Sequence, residues 1–314
     1  MRRALAVLAL LGGALAAAAP GPVPDAASPQ AYLLRALRLL RAHSIDRERL
    51  DWPRTEADAV RATEGFLVPS QTYPVIRKTI ADLGNPHTVL LDPSQAQPPA
   101  PAGIPVPRSR AADAIATLVI PGFVADPAGE RRYLDAGIAA LRSVQAQASC
   151  GWIVDLRRNT GGDMWPMLTV LAPLLGDGDI GSFAGPGIAS RAWSVRGGQA
   201  LLDGTAEAET NPVRLSRPKP PIAVLTSRDT GSSGEMTLIA LRGLGRSAVF
   251  GAPTAGYATG NEVYPLADGA KLLVTTSVAV DRTGRACGNS PIPPDFPSAD
   301  PEAAARNWLR ARCG

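Results

Sequence analysis

The chain has 314 residues, 45% of them hydrophobic and 19% charged, and a formal net charge of +4. Its basic residues are almost all arginines, with Lys78, Lys219 and Lys271 the only lysines, and they are scattered rather than clustered, which argues against a nucleic-acid surface. Three dispersed cysteines and two distant histidines have no metal-ligand spacing, so no metal centre is expected.

The predicted elements begin with a secretory leader over residues 1–20. Arg2 and Arg3 form its basic start, Ala4 to Leu15 its apolar core, and Ala16 to Ala19 an A-x-A cleavage region. The apolar run is too short to favour a membrane span, and no later stretch is longer. No cysteine stands near the cleavage region, so no lipid anchor is expected. The mature chain is expected to be exported, to the periplasm or outside the cell.

Residues 28–92 read as a helical N-terminal domain: Tyr32, Leu33, Leu34, Leu37, Leu39 and Leu40 give an amphipathic start, and Ile76, Ile80 and Leu83 repeat the helical period. Residues 93–113 form a proline-rich connector, with Pro98-Pro99-Ala100-Pro101 at its centre. From 114 to 314 the pattern alternates. Strands are predicted at Ala116 to Ile120, Trp152 to Leu156 and Ile222 to Leu225, and helices at Arg131 to Gln147, Pro166 to Leu175 and Met236 to Leu244. That alternation predicts a layered α/β core. Beyond Glu262 a hairpin turn at Leu266-Ala267-Asp268-Gly269-Ala270 precedes a strand from Leu272 to Val280, so the end of the core reads as antiparallel. In an oxidising compartment Cys287 can pair with Cys313 or with Cys150, and sequence alone does not choose.

One turn carries chemistry. Thr230-Gly231-Ser232-Ser233-Gly234-Glu235 joins the apolar run Pro221 to Thr226 to the helix that follows. A serine there has an exposed hydroxyl beside a helix N-terminus, whose unpaired amides suit a developing oxyanion, although serines also cap many ordinary helices. Two further blocks point the same way. Gly151 to Leu156 runs into Arg157-Arg158-Asn159-Thr160-Gly161-Gly162, and Arg246 to Phe250 runs into Gly251-Ala252-Pro253-Thr254-Ala255-Gly256-Tyr257. Near the end stands Pro291-Ile292-Pro293-Pro294-Asp295.

In this order the blocks resemble the C-terminal processing (tail-specific) serine peptidase family, whose patterns are roughly D-L-R-x-N-x-G-G, S-x-x-E, G-x-x-T-x-G and a closing G-[IV]-x-P-D. Pro291 stands where that last pattern has glycine. The resemblance covers residues 75–296 and implies a layered ββα (ClpP/crotonase-like) core behind a helical domain. It implies peptide-bond cleavage through an acyl-enzyme, with peptide or protein as substrate and no cofactor. Ser232 takes the place of the nucleophile, and the amides of Ser233 and Gly162 that of the oxyanion hole. The base is a lysine in many members, but its position here is Tyr257. The stretch Leu83-Gly84-Asn85-Pro86-His87-Thr88 resembles instead the L-G-x-x-H-[ST] motif of the tricorn-like, histidine-using branch, which makes His87 the expected base. His43, at the end of an amphipathic helix, reads as a helix-end or surface residue.

The branch's glutamate falls at Gly288 and is absent. Asp281 is the replacement candidate for the third member, Glu262 the second, and Glu235 reads as a support for the helix start. Between Asp92 and Ala114 roughly twenty residues are too few for a PDZ module, so none is expected. Two alternatives stay open: a non-catalytic ligand- or peptide-binding protein on the same scaffold, and an esterase, since acyl transfer does not specify the leaving group.

Overall fold

The computed structural model describes residues 28–97 and 103–313; the leader read at residues 1–20 and the centre of the proline-rich stretch lie outside them. Three helices open the fold, α1 (Pro29–His43), α2 (Trp52–Arg61) and α3 (Tyr73–Leu83). Ser28 and Asp51 cap the first two through their side chains, and each of the three helices has proline in its first turn. Gly84, at φ 70°, ends α3 in the left-handed conformation and turns the chain toward His87.

The helical region does not end as a helix. Residues Val89–Leu91 form a strand, β1, and the connector contains a second, β2 (Arg108–Ala112). After them come β3 (Ile115–Val119), α4 (Pro127–Val144), β4 (Gly151–Asp155) and α5 (Met164–Leu175). A region without motifs supplies β5 (Gly178–Gly185), β6 (Ile188–Arg196), β7 (Gln199–Leu202) and β8 (Thr205–Ala206). The chain continues with β9 (Ile222–Thr226), α6 (Ser233–Leu241), β10 (Ser247–Gly251), β11 (Thr259–Pro265), β12 (Lys271–Asp281), β13 (Ala286–Cys287), β14 (Phe296–Pro297) and α7 (Pro301–Arg310).

Two sheets result. One runs β14-β10-β9-β4-β3-β2, parallel except for β2. Its central strands are apolar on both faces because both are covered. Leu118, Trp152, Val154, Ile222 and Val224 face the cluster that holds α4, α5 and α6, while Ile115, Ile153, Ala223 and Leu225 pack under Ala305 and Leu309 of α7. The second sheet is antiparallel, in the order β1-β12-β5-β6-β7-β8, with β11 and β13 also on β12. Helices α5 and α6 touch strands of this sheet as well, and every residue of α6 is buried. The fold is the expected α/β core with layered sheets.

The helical region docks on that core through β1, which pairs Val89 with Leu273, and through Tyr32, Leu33, Leu37, Ile76 and Leu83 packed on Leu266, Leu272 and Val274. Tyr32 and Tyr73 both donate hydroxyls to Asp268, at 2.7 and 2.6 Å, clamping the β11–β12 turn to α1 and α3. The disulfide joins Cys150 to Cys313, with Cα atoms 4.5 Å apart, so neither pairing considered from the sequence forms. Strand β4 begins beside the end of the chain because α7 packs back across β9, β10 and β4, whereas Cys287 is a buried free thiol on β13. Among the described residues no helix is long and apolar enough to cross a membrane.

Candidate active site

Strand β9 delivers Thr226 to the end of the parallel sheet, and the chain then turns sharply into α6. Ser232 sits in that turn with φ 51° and ψ −120°, a left-handed backbone that a residue with a side chain rarely holds without support. The support is explicit. Glu235 Oε2 accepts the Ser232 amide at 3.0 Å, and the Glu235 amide donates to the Ser232 carbonyl at 2.8 Å. Thr230 Oγ1 donates to Leu156 O at 2.9 Å, and the Gly231 amide to Asn159 O at 2.9 Å. These bonds fasten the serine turn to the turn after β4.

That second turn is where glycine is required. Asn159 Oδ1 accepts the Gly161 amide at 3.0 Å, and Gly161 and Gly162 lie at φ 110° and 117°. A Cβ on Gly161 would stand 2.8 Å from Ser232 Cβ and 3.3 Å from Ser232 Oγ; one on Gly162 would stand 1.7 Å from Phe123 O. The Ser233 hydroxyl donates to the Gly162 carbonyl, which brings the two turns into register. No hydrogen bond among the described residues uses the amide of Gly162 or that of Ser233.

His87 enters from the helical region and is 3% exposed. Its Nδ1 lies 2.6 Å from Thr259 Oγ1, the first residue of β11. Its ring is tilted against that of Tyr257, with centroids 5.3 Å apart. Tyr257 in turn borders the serine turn, since a Cβ on Gly231 would fall 3.7 Å from Tyr257 Cδ2. The structure therefore assembles His87, Tyr257 and the Ser232 turn into one cluster, although no hydrogen bond among the described residues joins His87 to Ser232. Burial, with no carboxylate beside the ring, lowers the His87 pKa from 6.5 to about 4.

Glu235 ties this cluster together. Fully buried, its carboxylate accepts four hydrogen bonds: Oε1 from Thr254 Oγ1 at 2.5 Å and the Gly256 amide at 3.0 Å, Oε2 from the amides of Ser232 and Tyr257. The helix-start reading captures only the Ser232 part. The other three bonds fix the loop that carries Tyr257 and leads into Thr259. Burial nonetheless pushes this carboxyl above its ordinary pKa.

The candidates for the third member make their hydrogen bonds to other groups. Asp281 Oδ1 accepts from the Thr283 amide, the Thr283 hydroxyl and the Arg285 amide, all within its own turn at the end of β12. Glu262 is exposed and accepts from the Tyr264 hydroxyl at 2.6 Å. The group at His87 Nδ1 is a threonine, for which the sequence holds no signal, because threonines are ordinary residues of β-strands. His43 stacks on Tyr264 at 4.7 Å, at the surface. Of the lysines, Lys78 pairs with Asp82 and Lys271 donates to Ala96 O, while Lys219 is exposed on the turn before β9. Among the described residues no group of three or more histidine, cysteine or acidic side chains is placed to hold a metal ion.

The remaining motif residues serve the frame. Arg157 is held by Asp155 through two bonds of 2.9 and 2.6 Å, an interaction that raises its pKa, and Asp295 Oδ2 accepts the Val249 amide at 2.8 Å on the outer side of β10.

Peptidase family S41 matches residues 114–298. The chain belongs to that family. The nisin-resistance protein of Lactococcus lactis subsp. lactis is 27% identical over 285 residues, covering 91% of this chain and 88% of the relative. Among solved structures, a lipoprotein from Streptococcus agalactiae superposes with a TM-score of 0.78 at 23% identity, covering 91% of this chain and 97% of the other. The photosystem II D1 C-terminal processing protease superposes with a TM-score of 0.61 at 18% identity, covering 92% and 98%. At these identities the two structures show a shared fold. The S41 match takes in the serine turn, the glycine turn and Thr259, while His87 lies outside it.

Proposed function

We propose that this S41 protein is a serine peptidase in which Ser232 attacks the scissile carbonyl and His87 is the base. The reading rests above all on one observation: a buried histidine from the helical region packs on Tyr257, and Tyr257 borders, at Gly231, the turn that holds the left-handed Ser232. With its pKa lowered to about 4, His87 is unprotonated at neutral pH, the form a general base needs. Donation of Nδ1–H to Thr259 Oγ1 leaves Nε2 as the proton acceptor. Ser232 Oγ bonds to the carbonyl carbon as its proton passes to Nε2. The amides of Gly162 and Ser233 then hold the oxyanion. As the carbon–nitrogen bond breaks, Nε2 returns the proton to the leaving amine, and water resolves the acyl-enzyme by the same steps.

Export follows from the leader at residues 1–20, and the relatives named as a lipoprotein and a nisin-resistance protein fit an envelope setting. Nisin is therefore the first peptide to offer the protein. A fluorophosphonate probe tests the chemistry without a known substrate: it should label the protein, and Ser232→Ala should abolish the labelling. The binding-protein reading draws support from the hydroxyl at His87 Nδ1, where a carboxylate would stabilise the imidazolium better. Failure of the native protein to be labelled would favour it. An esterase would be labelled too, and would separate by cleaving ester but not peptide substrates.

A further inference from the structure

His87 is held by more than its ring. Its amide donates to Asn85 Oδ1 at 3.0 Å, and its carbonyl accepts from Asn261 Nδ2 at 3.0 Å. Between the two amide side chains lies Thr275 on β12, whose Oγ1 is 2.8 Å from Asn261 Oδ1 and 3.3 Å from Asn85 Oδ1. The Thr275 amide donates to Thr88 Oγ1 at 3.0 Å, and its carbonyl accepts the Ile45 amide at 3.0 Å. Asn85 Nδ2 is anchored on Asp46 at 2.6 Å. Asn85 and Thr275 are both buried, at 2% and 0% exposure.

We propose that Asn85, Thr275 and Asn261 form a positioning cluster that seats the main chain of His87 on the β11–β12 hairpin and thereby sets its imidazole against Thr259 and the Ser232 turn. Three segments meet there: the loop after α1, the turn after α3, and the hairpin. The turn holds the His87 amide through Asn85, the hairpin holds its carbonyl through Asn261, and the loop after α1 anchors Asn85 through Asp46. The helical region is bound elsewhere too, by apolar packing and by the two tyrosines on Asp268, so the cluster is one of several anchors. Two of its bonds end on the main chain of His87. Loss of the Asn261 bond leaves a buried histidine free to tilt, and a tilt of about 1 Å at a reacting group is enough to cost orders of magnitude in rate.

The inference rests on His87 being the base, and the test separates the two claims. The readout is the second-order rate of Ser232 labelling by a fluorophosphonate across pH, with thermal melts to establish folding. Asn261→Ala and Thr275→Val should each slow labelling by about tenfold or more. They should also move the midpoint of the acid limb upward from about 4 toward 6.5, as water reaches the ring. Thr275→Ser, which keeps the hydroxyl, should restore rate and midpoint. Tyr32→Phe removes a hydrogen bond between the same two regions away from His87; it should lower the melting temperature and leave both readouts alone. Native rate and midpoint in Asn261→Ala and Thr275→Val would overturn the cluster, as would an equal shift in Tyr32→Phe. Full-speed labelling of His87→Ala would overturn the base assignment and the cluster with it.

Discussion

The two halves of the candidate site are built in opposite ways. The serine half lies within the S41 core and is made of main chain: left-handed residues, two glycines, and amides and a carbonyl pinned by Asn159, Glu235 and Thr230 within two short turns. The histidine half is made of side chains from distant segments, with His87 separated from its partner Thr259 by 172 residues. Main-chain geometry demands particular residue types at fixed spacing, so the first half is rigid and readable. The second depends on the helical region docking correctly, and its residues are of types that occur everywhere.

Removing the reacting groups should have the largest effect and establish whether both halves act. Ser232→Ala and His87→Ala should each reduce peptide hydrolysis or fluorophosphonate labelling by about 10⁴-fold or more, as for triad members acting as a unit. A double variant no slower than either single one would show that the halves work as one device. Additive losses would break the proposed partnership.

Gly162→Ala probes the main-chain half alone. The new Cβ meets a backbone oxygen that has nowhere to go, Phe123 O at 1.7 Å, so the turn must move and take its amide with it. A loss of about 10²–10³ in kcat is expected, the scale of one missing oxyanion donor, with an intact fold by circular dichroism. Native kcat would remove Gly162 from the chemistry.

What the sequence made readable follows the same division. Ser232, Gly161 and Gly162 stand out because a tight strand-to-helix turn and a close backbone approach leave few residue types that fit. The alternation of buried strands with helices foretold the layered α/β core for the same reason, since its central strands are apolar on both faces. Strands β5 to β8 escaped because half-exposed antiparallel strands in a glycine-rich stretch carry a weak pattern. Strand β1 escaped because three residues after a proline turn are defined by the neighbour they pair with, β12. Thr259 and Asn261 were invisible for a like reason, and the disulfide partner of Cys150 depends on where α7 folds back.

The histidine half should show itself in pH dependence. In the unfolded chain His87 binds a proton below its ordinary pKa of 6.5, and in the folded protein only below about 4. Between those values the unfolded state holds more protons, so this residue's contribution is intact above 6.5 and is lost as pH falls to about 4. A fall from 6.5 to about 4 corresponds to about 3 kcal/mol. His87→Gln should flatten the fall in denaturant-derived stability between pH 6.5 and 4 relative to the native protein. An unchanged slope would mean that the ring is solvated in solution.

Thr259→Val tests the link between ring and hairpin. It removes the hydrogen-bond partner of Nδ1 and leaves a buried ring nitrogen unpaired, so about a 10–100-fold loss in labelling rate is expected, below that of His87→Ala. Thr259→Ser should recover most of it.

Asp281→Asn completes the series with the smallest expected effect on activity. If a carboxylate were needed behind the imidazole, this substitution would be as damaging as losing the base. The geometry gives Asp281 a different role, that of holding its own turn. Three donors, two amides and a hydroxyl from Thr283 and Arg285, converge on one oxygen and lower its pKa despite the cost of burial. An asparagine can present its carbonyl oxygen to the same three donors, so the turn should survive at a cost of about 1–2 kcal/mol in stability. The labelling rate should stay within about threefold of native, because no bond to the ring is lost. A fall of several hundredfold at full thermal stability would restore the aspartate to the mechanism and require the end of β12 to swing toward His87 when substrate binds.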